Sequence, residues 1–144
     1  MARRGFEPLV ERLRSGPPVL SPYAVPNLDA MLNTLEFFVH HEDIRRAQPD
    51  WSPRTLGDDA EKQLWTKLRT AGKALTRNAP VGVTIENDVT GSTVTLKDAT
   101  PSVTVRGRPS EVTLFMFGRS QQAIVELVGE ADAVVRLRET SLGV

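Results

Sequence analysis

The chain has 144 residues, 40% of them apolar, and its eighteen basic and eighteen acidic side chains cancel to a formal net charge of zero. That length suits one compact domain or two small ones, the apolar share is enough for a core, and the balanced charge gives no general pull toward nucleic acid or membrane. There is no cysteine, which excludes a disulfide framework, a thiolate nucleophile and a Cys-type zinc site, and fits a reducing cytoplasm.

The opening MARRGFEPLVERL has two arginines but no apolar run behind them, so it does not read as a signal peptide. No window approaches the roughly 20 apolar residues of a membrane span. Phe6, Leu9, Val10 and Leu13 recur at helical spacing, and Ser15-Gly16-Pro17-Pro18 stops that helix. Residues 17–26 hold four prolines and read as a loop. Asn27 is an N-cap candidate for a long helix over 27–47, with an apolar arc of Leu28, Met31, Leu32, Leu35, Phe38 and Val39. Residues 49–53 break it, and a third helix over 58–78 carries Leu64, Leu68, Ala71 and Leu75 on one face.

The pattern changes at Ala79-Pro80. Residues 81–85 and 92–96 alternate as strands, with turn chemistry at 87–91 between them. Residues 102–106 form a third strand, Gly107-Arg108-Pro109-Ser110-Glu111 opens a helix over about 109–118, 123–128 is a fourth strand and 131–139 a closing helix. The fold class expected is α+β, with a helical segment over 1–79 and an α+β segment over 80–144. This pattern predicts that the two halves are separable and that 80–144 forms a sheet with the helices at about 109–118 and 131–139 packed on it.

The chain's two histidines stand side by side in TLEFFVHHEDIRRAQPDW, residues 34–51. At about 100° per residue, Asp29, Asn33, Glu36, His40 and Asp43 form one polar stripe beside the apolar arc. Glu36 and His40 are an i,i+4 pair whose side chains can converge on one ion, while His41 points about 100° away. The same pair is common on solvated faces, where it is worth only a few tenths of a kcal/mol. A zinc site needs three or four protein ligands, and Asp43, one turn on, reaches a shared ion only with strain. Elsewhere, Trp51 and Trp65 line a pocket or pack the core, with packing favoured. Arg45 and Arg46 complement the helix C-terminus or meet an anion. Gly118 suits a helix C′ position, with Arg119 after it. There is no Gly-x-Ser-x-Gly and no P-loop.

The string NTLEFFVHHEDIRRAQPDWSPR resembles the signature of actinobacterial proteins of the DinB-like metal-binding superfamily that are similar to mycothiol-dependent maleylpyruvate isomerase. SVTVRGRPSEVTLFMFGR and VELVGEADAVVRL are similar to that family's sterol-carrier-like C-terminal domain. The resemblance implies a partial DinB-like helical bundle followed by a sterol-carrier-like α+β domain. It implies a divalent metal, usually zinc, held by the Glu-x-x-x-His motif, here Glu36 and His40, with a second histidine from an earlier helix. His41 and Asp43 stand beside these ligands as supporting or acid–base groups, and mycothiol is implied as a thiol cofactor. The family's earlier tryptophan- and histidine-bearing helices have no counterpart in this sequence, so the expectation is a metal site carried in part.

Two functions compete on this reading. One is thiol- or water-dependent transferase, isomerase or hydrolase chemistry on a small molecule at a zinc-type site. The other is a truncated, non-catalytic member acting as a binding or dimerisation module. Either way the flank of Leu28, Leu32, Leu35 and Val39 is expected to lack cover, favouring self-association or a partner chain. A cytoplasmic protein without nucleic-acid or membrane partners is expected.

Overall fold

Helical spacing gives way to strand alternation at residue 80, and the computed structural model, which describes residues 28–52 and 55–143, changes secondary structure at the same place. The helix expected around Phe6 to Leu13 lies outside the described residues. Among these residues the fold is α+β, with four helices and one four-stranded mixed sheet.

Helix α1 spans Leu28–Arg46, with Asp29 in its first turn and Arg45 and Arg46 in its last, each sign matched to the helix dipole. Its buried line is Leu35, Val39, Glu42 and Arg46, at spacings of four, three and four. The apolar flank divides in two. Leu35 and Val39 are fully buried, whereas Leu28 and Leu32 are half-buried against the core. The cover that the sequence did not foresee comes from the helix after the third strand, which packs on α1 alongside α2.

Helix α2 spans Asp58–Leu75 and opens with Asp58, Asp59 and Glu61. Leu64, Leu68, Ala71 and Leu75 are all buried, together with Trp65 and Gly72. It stops three residues before the expected end. The Thr76 hydroxyl turns back to donate to the Gly72 carbonyl at 2.8 Å, as does its backbone N–H at 3.0 Å.

The strands are β1 Gly82–Asn87, β2 Thr93–Lys97, β3 Ser102–Gly107 and β4 Glu126–Val128, in the order β2-β1-β3-β4. β1 pairs antiparallel with β2 and parallel with β3, and β4 closes antiparallel on β3. Val83, Ile85, Val103 and Val105 alternate into the core, and Thr84, Glu86, Thr104 and Arg106 lie between them, half-buried. On that second face Arg106 bridges Glu86 at 2.8 Å and Glu126 at 3.2 Å across three strands. The fourth strand is half its expected length: turns hold the chain through Ala123, and the Ile124 N–H then goes to the Glu111 carboxylate at 2.9 Å.

Helix α3 spans Pro109–Met116 and helix α4 Ala131–Glu139. Every residue of α3 is buried. Its N-terminus is capped from a distance, since Ser110 donates its backbone N–H at 2.9 Å and its hydroxyl at 2.7 Å to the Glu61 carboxylate of α2.

Packing runs across residue 80. One hydrophobic cluster joins Leu35 and Val39 of α1, Leu68 and Leu75 of α2, Val83 and Val105 of the sheet, Phe115 of α3 and Leu137 of α4. α2 meets β2 at close range. A Cβ at Gly72 would stand 2.4 Å from Leu96 Cδ2, so glycine makes the notch that the leucine fills. No helix among the described residues is long and apolar enough to cross a membrane.

Candidate functional site

The motif EFFVHHEDIRR serves two sides of α1 at once. On the inner side, Glu42 is 1% and Arg46 8% exposed, and such charges persist inside only when paired and hydrogen-bonded. Arg46 Nε donates to Glu42 at 3.1 Å, and its two terminal nitrogens donate to both Glu111 oxygens at 3.0 and 2.6 Å. It also donates to the Gln122 carbonyl at 2.6 Å, and Glu111 accepts from the Ile124 N–H at 2.9 Å. The Trp51 ring lies 4.8 Å from the guanidinium carbon, while Trp65 is buried in the core. Burial is the largest influence on Arg46 and lowers its pKa, but Glu111 and Glu42 together outweigh it and hold the guanidinium above the usual arginine value. Arg45, one position back, pairs with Glu42 from the outside at 3.0 Å. This network ties α1 to α3 and to the turn after it.

The other polar side of α1 faces a pocket. Glu36, Val39 and His40 form one wall, Phe117 and Arg119 a second, and Ser141, Leu142 and Gly143 a third, around about 330 Å³. The second wall depends on how α3 ends. Gly118 takes φ +84°, which a side-chain-bearing residue adopts at a cost. The Gly118 N–H then reaches the Phe115 carbonyl at 3.1 Å and the Arg119 N–H the Leu114 carbonyl at 2.9 Å, the paired bonds of a Schellman turn. That turn sends Arg119 back toward α1. The third wall is anchored by buried Leu142 and by the Gly143 N–H on the Leu75 carbonyl at 3.2 Å.

Of the four residues expected at a site, two line this pocket. Glu36 is half-buried, and His40 is exposed, its side chain 68% accessible. Asp43 is held by a fork: Arg119 Nε and Nη2 donate to its two oxygens at 3.2 and 2.8 Å. The hydrogen bond to Asp43 is the chief reason that the Arg119 pKa is raised. One Asp43 oxygen also lies 3.9 Å from His40 Nδ1. His41 is exposed and is not part of the lining.

As a metal centre the arrangement is incomplete. Among the described residues no group of three or more His, Cys, Asp or Glu side chains converges as a metal site would require. The residues present fit half a site, one carboxylate and one imidazole on the same wall, with the nearest further carboxylate bound to an arginine.

Three residues that matter here escaped the sequence reading. Glu111 reads in the sequence as a first-turn residue of a helix start and Glu42 as one of the acids around the histidines, whereas both are buried and paired with Arg46. Arg119 was placed correctly after a helix-ending glycine, but nothing local shows that it reaches a residue 76 positions away. Comparison of the chain with protein-family models, with characterised proteins and with solved structures finds no match.

Proposed function

We propose that the chain is a divalent-cation-binding protein, with Glu36 and His40 as the ligands it contributes, of the kind seen in maleylpyruvate-isomerase-like, DinB-like proteins. The observation that carries this reading is the shared pocket: of the six His, Asp and Glu side chains in the Asp29-to-Asp43 stretch of α1, the i,i+4 pair lines one cavity. Such a cation would supply Lewis acidity toward water or a thiol such as mycothiol. This chain's own residues would bind it and shape the cavity, whose lining also includes Val39, Phe117 and Leu142. Two ligands on one helix leave an ion largely solvated, so zinc binding by this chain alone is weak.

The second reading is a non-catalytic module of a DinB-like and sterol-carrier-like arrangement that works through contact. Two large apolar side chains on α1, Phe37 and Ile44, are 54% and 69% exposed and favour a partner chain or a second copy. Zinc titration separates the two. On the first reading His40→Ala abolishes the residual binding and His41→Ala leaves it unchanged; the reverse result removes the assignment. Binding insensitive to Glu36→Gln and His40→Ala alike favours the contact module.

A further inference from the structure

The pocket beside α1 carries polar capacity that the fold leaves unspent. Glu36 is half-buried on the first wall and makes no hydrogen bond or ion pair among the described residues. Arg119, on the second wall, has the five N–H donors of a guanidinium. Nε and Nη2 donate to Asp43, and Nη1 donates to the Phe117 carbonyl at 2.6 Å. One N–H on each terminal nitrogen is left without a partner among the described residues. The Asp43 fork and the Phe117 bond hold the guanidinium in place, within the turn set by Gly118. The Ser141 hydroxyl on the third wall is also uncommitted among the described residues.

These groups choose between ligand classes by charge. A simple anion drawn to Arg119 meets the Glu36 carboxylate in the same cavity of about 330 Å³, and a simple amine drawn to Glu36 meets the guanidinium. A ligand that bears both charges satisfies both walls, and each contact is then a charge-assisted hydrogen bond, the stronger kind. Val39, Leu142 and Phe117 are 1%, 6% and 7% exposed, so they offer a ligand little apolar surface. We propose that this pocket binds a small polar zwitterion of the amino-acid class, with its ammonium on Glu36 and its carboxylate on Arg119 and Ser141. The inference goes beyond the cation reading and does not rest on it. The ammonium takes Glu36 for itself, no metal takes part, and Asp43 keeps its place as the residue that orients Arg119.

The test follows ligand binding to the full chain, stripped of cations by a chelator, by NMR line broadening or calorimetry. L-serine, with its charges separated by one carbon, and γ-aminobutyrate, with three between, probe two charge spacings. Each has two half-ligands lacking one charge: ethanolamine and β-hydroxypropionate for serine, propylamine and butyrate for γ-aminobutyrate. At least one zwitterion should bind saturably and about tenfold or more tighter than either of its halves, since a hydrogen bond to a charged group is worth that factor or more. Glu36→Gln should bring the zwitterion down to the level of its acid half, and Arg119→Gln down to the level of its amine half. Arg119→Lys, which keeps the charge but loses the fork, should fall between wild type and the glutamine variant, and it carries the comparison should the glutamine variant fold poorly. Binding of neither zwitterion, a zwitterion no tighter than one of its halves, or a preference that survives either substitution overturns the proposal. The cation reading fails on a different observation, zinc binding indifferent to His40→Ala, so the two can fall separately.

Discussion

At the scale of single residues, the decisive positions are charged ones placed where apolar ones would be expected. Arg46 depends on Glu111 for a two-pronged bond and on Glu42 for a third. Truncating one partner of a buried ion pair strands the other, which typically costs about 3–5 kcal/mol. Glu111→Ala should therefore destabilise the fold by about 3 kcal/mol, the low end, since Glu42 stays in place. Urea unfolding followed by circular dichroism measures it, and a loss well under 1 kcal/mol would show that water replaces the carboxylate. Replacing both with apolar residues, Arg46→Met with Glu111→Leu, should cost much less than the single change. The pH consequence has a definite sign. The folded-state pKa of Arg46 is raised, so its stabilisation is fully present below the ordinary arginine value and is lost only as pH climbs through the raised one. Arg46 thus adds no slope to stability across neutral pH. Arg106, bridging Glu86 and Glu126 on the open face of the sheet, is far more exposed, and Arg106→Ala should be nearly silent in the same assay.

At the scale of elements, α2 and β2 are joined by shape. Gly72 sits mid-face on a helix, where glycine costs roughly 1 kcal/mol against alanine, yet a Cβ there would collide with the Leu96 side chain. Leu96 is 4% exposed, so its side chain must repack inside the core to make way. Gly72→Ala should destabilise the protein by about 1–3 kcal/mol despite the better helix propensity, and Leu96→Ala in the same chain should recover part of that loss. Thermal unfolding of the two single variants and the double variant tests the coupling; strict additivity would mean the notch is not shared. The elements themselves were largely legible. Alternation located β1, β2 and β3 to within two residues, and the closing helix at 131–139 was bounded correctly because each carries its period on local side chains. The inward line of α1 was legible only as far as Val39. Beyond it the helix buries Glu42 and Arg46, and a rule that sends charge to solvent cannot follow a stripe that stays inside by pairing with Glu111 of another element. The candidate pocket was half legible for the same reason. That Glu36 and His40 share a helix face follows from their spacing, and both line the pocket, while the Arg119 fork on Asp43 exists only once α3 has turned back on α1.

At the scale of the whole molecule, the boundary seen at residue 80 is one of secondary structure, and the buried cluster spans it. A fragment starting at Pro80 would uncover the faces of Val83, Ile85, Val105 and Phe115 that meet α2 and α1. With roughly 1.5–3 kcal/mol attached to each large apolar side chain, that fragment should lose its sharp unfolding transition and bind a hydrophobic dye. A cooperative transition close to that of the full chain would show instead that the α+β segment stands alone. The same long-range design has a consequence for synthesis. Arg46 and Glu111 are 65 residues apart in the chain, and as translation proceeds α1 leaves the ribosome well before its partner exists. Until α3 emerges, the inner stripe of the nascent helix ends in an arginine whose chief counter-ion has not been made, so desolvating that end early is penalised and the helix stays wet. Docking of α1 is therefore expected to await α3, the element that carries Glu111, so that a buried ion pair would set the order of assembly on the ribosome.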